Sequence, residues 1–137
     1  FLPLPGCAIY CTTKFAVRGF TESVRAEMLG AGHPVQVSVV HPGGIKTNIA
    51  TAALETAKGL GLPITEAEER RSKTYNEKLL KMPPEQAAKI VVDGVESGKS
   101  RILVGNDAKF VDALVRLLPS RYPKVAVTFE KRLHSTS

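Results

Sequence analysis

The first apolar rhythm along the chain has a helical period, with Ala16, Phe20, Val24 and Met28 recurring every fourth residue while Arg18, Glu22, Arg25 and Glu27 fall largely elsewhere. This predicts a long amphipathic helix over 6–29. Gly30 and Gly32 should stop it, since glycine tolerates the positive φ of a helix terminus. After His33-Pro34 the pattern changes. Val35-Gln36-Val37-Ser38-Val39-Val40 is β-branched and mostly apolar, as in a strand buried on both faces, and Pro42-Gly43-Gly44 should end it. A helix, a short connection and a buried strand together describe a parallel α/β crossover.

From Thr47 to Met82 the chain is rich in Ala, Lys, Glu and Gly and reads as an excursion outside the sheet. Thr65 followed by Glu68 resembles a capping box, which predicts a helix from Glu66 to about Lys81. Excursions at the carboxyl edge of a strand commonly cover a ligand site. Pro83-Pro84-Glu85 then opens a helix with Ala88, Val91, Val92 and Val95 on its apolar side, ending near Gly98. Arg101-Ile102-Leu103-Val104-Gly105 reads as a second buried strand, and Asn106 or Asp107 as the cap of a helix carrying Phe110, Val111, Leu114, Val115 and Leu118 up to Pro119. In the tail, Val125, Val127 and Phe129 alternate like a strand, whereas the charged end suits a helix; the reading adopted is helix, with 134–137 frayed.

Composition narrows this picture only a little. At 137 residues and 43% hydrophobic content the chain is long enough for one domain burying about two-thirds of its unfolded surface. Phe1-Leu2-Pro3-Leu4-Pro5 nevertheless reads as a mid-protein loop, so the chain is expected to be part of a longer protein. No run of about 18 apolar residues exists to span a membrane, and the expected location is cytoplasmic. Cys7 and Cys11, the two cysteines, suit neither a disulfide framework nor a four-ligand zinc site, so they are expected to be structural thiols and no metal site is expected. The net charge of +6 comes from interspersed residues. It could serve a phosphorylated dinucleotide or simply solubility. Without aromatic and basic residues interleaved, it does not argue for nucleic acid.

Candidate chemistry begins at Tyr10 and Lys14, which lie four apart and therefore one above the other on the first helix. A tyrosine has a pKa near 10, and half-ionising it at pH 7 needs about three units, or roughly 4 kcal/mol, of preferential stabilisation of the phenolate. A neighbouring cation in a partly desolvated site acts in that direction. Tyr10 could then exchange a proton with a substrate oxygen while a cofactor exchanges the hydride. With three tyrosines and eleven lysines in 137 residues, however, chance supplies such a pair about once in four chains. The weight comes from a second element in the expected place: a strand ending in His41-Pro42-Gly43-Gly44-Ile45-Lys46-Thr47. A Pro-Gly turn there would let a ligand approach the backbone and would present free N–H and C=O groups.

Taken together, a Tyr and a Lys four apart on a long helix, then a strand, a Pro-Gly turn and a Thr four after its first Gly resemble the short-chain dehydrogenase/reductase family, and the resemblance covers nearly the whole chain. It implies the C-terminal portion of a doubly wound, Rossmann-type parallel sheet with flanking helices, all of 1–137 forming part of one dinucleotide-binding catalytic domain, with a substrate lid at about 48–82. It further implies an oxidoreductase using NAD or NADP on a small alcohol or carbonyl substrate. Tyr10 would be the acid/base and Lys14 the group that lowers its pKa and binds the nicotinamide ribose. Pro42 and Gly43 would form the turn beneath the nicotinamide, Ile45 a backbone contact to its carboxamide, and Thr47 a hydroxyl contact to the cofactor.

The same resemblance puts the glycine-rich phosphate loop, the residue choosing between NAD and NADP, and the structural Asn upstream of Phe1. The substrate-polarising Ser would precede Tyr10 by about a dozen residues, also beyond this chain. The isolated chain is therefore expected to be inactive, and unstable or aggregating through an apolar strand edge. The first helix resembles the family's oligomerisation helix, which implies a homo-oligomer. His41 reads as a structural strand-end histidine, His33 as loop, and Arg70-Arg71 as a solvated helix face. An alternative of a different class is a non-catalytic peripheral membrane or partner-binding segment, because 110–133 mixes Leu, Val and Phe with Lys and Arg as an interfacial helix would.

Overall fold

The computed structural model describes residues 7–135. In chain order the elements are α1 (Ala8–Gly30), β1 (Val39–Pro42), α2 (Ile49–Gly59), α3 (Glu66–Thr74) running on into a π-helical turn (Tyr75–Leu79), α4 (Pro84–Glu96), β2 (Arg101–Val104), α5 (Asn106–Leu117) and α6 (Tyr122–Ser135). β1 and β2 pair in parallel, Val39 opposite Arg101 and Pro42 opposite Val104, and the three helices between them make the crossover that parallel strands require. The fold is α/β and mostly helical, with a small parallel sheet, as a portion of a Rossmann-type domain would be.

Local signals account for most element ends. Gly32 takes φ +67° and the His33 N–H returns 3.0 Å to the Met28 carbonyl, closing α1 with a glycine C-terminal motif. Thr65 caps α3 through a reciprocal box, its N–H donating to Glu68 Oε2 at 2.8 Å while the Glu68 N–H donates to Thr65 Oγ1 at 3.3 Å. Proline occupies the first helical position of α4, where a missing N–H costs nothing. The tail is helical through Ser135, and the remainder of the expected frayed end, 136–137, lies outside the described residues, as does the Phe1 to Pro5 loop.

Other expectations are corrected. β1 starts at Val39 rather than Val35 and runs through Pro42, because its hydrogen-bonded neighbour begins only at Arg101. Residues 35–37 thus have no strand opposite them, and Val35 is exposed. Nor is β1 buried on both faces: Val40 is exposed and His41 buried. The excursion contains an unforeseen helix, α2, and the predicted single helix to Lys81 changes to π geometry at Tyr75. On α4 the face against the sheet is Ala87, Ile90, Val91 and Gly94, not the face carrying Val92 and Val95, which stand half exposed. The reason is close approach, since a Cβ on Gly94 would collide with Ile102. α5 takes Gly105 as its N-cap with no side-chain capping bond, in place of Asn106 or Asp107. Residues 110–133 form two helices separated by a turn at Pro119, not one interfacial helix, and no helix among the described residues is long and apolar enough to cross a membrane.

The core lies between α4 and the sheet: Ala87, Ile102 and Val104 are buried, with Ile45, Met82, Ile90 and Val91 packed around them. By contrast α1 has no buried residue, and Phe20, on its predicted apolar stripe, is 72% exposed. The chain as a whole exposes 9756 Å², where a compact monomer of this size exposes about 7,000 Å². Its apolar faces exceed what its own elements cover.

Candidate active site

Tyr10 and Lys14 sit in the first two turns of α1, and the four-residue spacing brings the Lys14 ammonium to 5.4 Å from the centre of the Tyr10 ring, within cation–π range. Tyr10 is 62% exposed. Across from them, the carboxyl end of β1 supplies Val40, His41 and Pro42, and the two elements enclose a cleft of about 460 Å³. The structure thus brings Tyr10, Lys14 and Pro42 to one cavity, from segments separated by a long helix and a loop.

Gly43, Ile45 and Thr47 lie beyond the cleft walls, on the turn that leaves β1. Here the structure corrects the expectation of free backbone N–H groups. The Gly43 N–H donates to the Val104 carbonyl (2.9 Å), Gly44 to Asp107 Oδ2 (2.6 Å), Ile45 to the Gly43 carbonyl (3.1 Å) and Lys46 to the Met82 carbonyl (2.7 Å). All four are engaged within the chain. Ile45 also forms a parallel bridge with Met82 and packs against the core, so its N–H is not directed at a ligand, while Thr47 is exposed ahead of α2. The two glycines are required by crowding rather than by positive φ: a Cβ on Gly43 would strike the Asp107 carboxylate, and one on Gly44 the Leu79 carbonyl.

His41 is 8% exposed and lines the cleft. Burial, reinforced by the charges of Arg101 and Arg18, lowers its pKa to about 4, so the imidazole is neutral near pH 7. Beneath it runs an ion-pair chain that sequence reading did not anticipate. Arg18 Nε meets Glu22 at 2.9 Å, Arg101 Nη1 meets Glu22 at 3.6 Å and Arg101 Nη2 meets Asp112 at 2.6 Å, with Arg116 on the same carboxylate at 3.1 Å. The Arg18 hydrogen bond holds Glu22 below the usual carboxylate range; at Asp112, burial opposes the same shift but the bonds from Arg101 and Arg116 prevail. This network ties α1 to β2 and α5 and so holds the Tyr10–Lys14 face over β1. The one hint of it in the sequence is the i, i+4 spacing of Arg18 with Glu22 and of Asp112 with Arg116.

The excursion is anchored as well. Arg71 is directed inward rather than into solvent, reaching Glu130 on α6 at 3.5 Å and the Cys7 sulfur at 3.5 Å, whereas Arg70 stays exposed beside Glu66. Cys7 and Cys11 are both partly buried thiols outside any disulfide. Burial raises the Tyr75 pKa in the same corner.

Residues 1–58 match the short chain dehydrogenase family model. SadH of Mycobacterium tuberculosis, an oxidoreductase by provisional name, is 44% identical over 124 residues, covering 90% of this chain and 42% of that protein. The chain is thus similar to the short-chain dehydrogenase family. An uncharacterised oxidoreductase of Bacillus subtilis, YxnA, is 31% identical over 80% of this chain and 27% of its own length. Benzil reductase ((S)-benzoin forming) of Bacillus cereus is 39% identical over 56 residues, covering 41% of this chain and 22% of that protein. The chain spans less than half the length of each of these relatives. No solved structure matches it.

Proposed function

We propose that this chain is the C-terminal, catalytic part of a nicotinamide-dependent oxidoreductase that interconverts an alcohol and a carbonyl compound, with a substrate lid over 48–82. The observation that carries the reading is the Lys14 ammonium stacked on the Tyr10 ring at the mouth of a cleft closed by Pro42. Similarity to the short-chain dehydrogenase family and the name of benzil reductase support the reaction class.

The residues present fit the nicotinamide end of NAD or NADP and not its phosphates. A cleft of about 460 Å³ with the Lys14 ammonium beside the Tyr10 ring, and with Arg18 in its wall paired to Glu22, suits a ring and a ribose, whereas the engaged N–H groups of 43–46 leave no backbone cradle for pyrophosphate. Bound dinucleotide supplies or accepts the hydride. Tyr10 Oη donates the proton to the substrate oxygen in reduction and accepts it in oxidation. Lys14 carries the positive charge beside the phenolate that results and reaches the ribose hydroxyls. Pro42 would wall the nicotinamide end of the site with Gly43 in the turn behind it, while Ile45 would offer a backbone contact to the carboxamide and Thr47 a hydroxyl, both from the turn beyond the cleft walls. His41, neutral and buried, supports the β1 end without taking part in proton transfer. The phosphate loop and the substrate-polarising Ser belong to sequence preceding this chain, and the exposed face of α1 pairs with a second copy in a homo-oligomer.

Tyr10→Phe in the full-length protein tests the assignment. NAD(P)H-dependent reduction of diketones such as benzil should fall by about 10²- to 10⁴-fold, while NAD(P)H binding, followed by fluorescence titration, stays within about twofold. Retained turnover would remove Tyr10 from the reaction.

A further inference from the structure

The first turn of α5 places one carboxylate where two glycines, Gly43 and Gly105, leave room for it. Asp107 lies 63 residues after Gly44 and accepts its N–H at 2.6 Å. A Cβ on Gly43 or on Gly105 would collide with the same carboxylate, and Gly105 is held at φ +102°, a conformation that favours glycine. The neighbouring N–H, that of Gly43, is bound to the Val104 carbonyl, so both glycines of the turn are fastened to the strand-to-helix corner of β2 and α5. From the other side the Gly44 carbonyl accepts the Lys81 and Met82 N–H groups, both at 3.0 Å, where the excursion rejoins the fold.

Asp107 therefore does not do what a carboxylate in the first turn of a helix ordinarily does. Its side chain makes no capping bond to α5, although its charge still favours that end of the helix dipole. It reaches out of its own element to a turn. A charge-assisted bond to a backbone N–H is among the stronger hydrogen bonds, and this one restrains the two residues that follow Pro42 in the cleft wall.

We propose that Asp107 is the positioning residue of the Pro42-Gly43-Gly44 turn, holding it at the height that the nicotinamide ring requires; this rests on the function proposed above. Its carboxylate touches neither cofactor nor substrate and acts through the Gly44 N–H. Loosening that bond should weaken interactions with the nicotinamide end of the dinucleotide and leave the adenosine diphosphate end, bound elsewhere, unchanged.

The test uses the full-length protein with Asp107→Ser, which keeps a good residue at the start of α5 but is too short to reach Gly44, and Asp107→Asn, which keeps an acceptor oxygen at the same reach. Affinities for NADH, NADPH and ADP-ribose are measured by calorimetry, and exchange of the Gly44 amide by NMR. The serine variant should bind the preferred reduced dinucleotide about tenfold more weakly, bind ADP-ribose within about twofold of wild type, and exchange the Gly44 amide faster. The asparagine variant should recover most of both losses. Unchanged dinucleotide affinity in the serine variant, or an equal loss for ADP-ribose, overturns the positioning role while leaving the proposed function intact. A wild-type protein that binds no nicotinamide dinucleotide overturns both. Should the serine variant fail to fold, the asparagine variant decides: a tenfold loss there, with the Gly44 amide still protected, overturns the role.

Discussion

Helix α1 lines the candidate site and the corner formed by α4, β2 and α5 fastens the turn beside it, yet the two are held by different forces. The corner owns the core: Ile102 and Val104 are buried under Ala87, and a glycine at position 94 lets the helix come down onto the strand. α1 buries no residue along its 23 positions and is joined to the rest chiefly by the ion pairs through Arg18, Glu22 and Arg101. Burial in the corner is dense and apolar, whereas the tie to α1 is polar and partly solvated, a kind of contact that fixes orientation more than it contributes stability. The proposed proton-transfer pair thus rides on an element in which its own chain buries no residue. The turn it faces is fastened to the element stabilised most.

Deleting apolar volume on each side measures that contrast most directly. In the full-length protein Ile102→Ala should cost about 3 kcal/mol in urea unfolding, because it opens a cavity between α4 and the sheet. Phe20→Ala removes a side chain that this chain by itself leaves in solvent, and should cost more than about 2 kcal/mol where a second copy covers the α1 face as proposed. A loss under about 0.5 kcal/mol would show that the α1 face stays in solvent in the complete protein, and would remove the proposed pairing.

A pH titration probes the boundary between the two regions, where His41 lies. Its folded pKa is lowered to about 4 from 6.5, so the unfolded state binds more protons between these values. The contribution is fully present above pH 6.5, declines as pH falls and is exhausted below about 4. With a shift of that size it amounts to at most about 3 kcal/mol. Stability measured at pH 7 and pH 5 should therefore differ by more in the wild type than in His41→Leu; equal differences would show that His41 is not held neutral. Glu22 and Asp112, whose pKa values are also lowered, add losses of the same sign only below the ordinary carboxylate range.

The smallest effect should come from the excursion, which packs on the core of the corner only through Met82 at its end. Thr65→Ala removes the reciprocal cap of α3 and should cost about 1 kcal/mol, read as a lower unfolding midpoint with unchanged dinucleotide affinity. A larger change in affinity would tie the cap of α3 to the cleft through the Lys81 and Met82 bonds to Gly44.

Much of the fold is legible from residues close together in the chain. The stop of α1 at Gly30–Gly32, the Thr65–Glu68 box, the proline start of α4 and the stacking of Lys14 on Tyr10 all involve groups within about five residues of each other, so composition and spacing suffice to read them. The unforeseen α2 lacks a side-chain cap, and only Gly61 at φ +68° marks its end. Faces and registers were not legible in the same way. The four-residue periodicity of α4 is compatible with burying Val92 and Val95, and only the distance of approach to Ile102 selects Ala87 and Gly94 instead. Likewise the β-branched run from Val35 promises a strand, but a strand exists only where a partner lies opposite, and that partner begins at Arg101.

The candidate site divides along the same line. Tyr10, Lys14 and Pro42 announce their chemistry by residue type and order, because an acid/base, its cation and a chain-reversing proline are properties of the residues themselves. That Gly43 and Gly44 are glycines is plain from the chain, but why they must be is not: their neighbours are a carbonyl at Leu79 and a carboxylate at Asp107, brought there by a fold that closes over more than sixty residues. Intrinsic chemistry and short-range geometry are written locally, whereas contacts between distant segments exist only once the chain has packed.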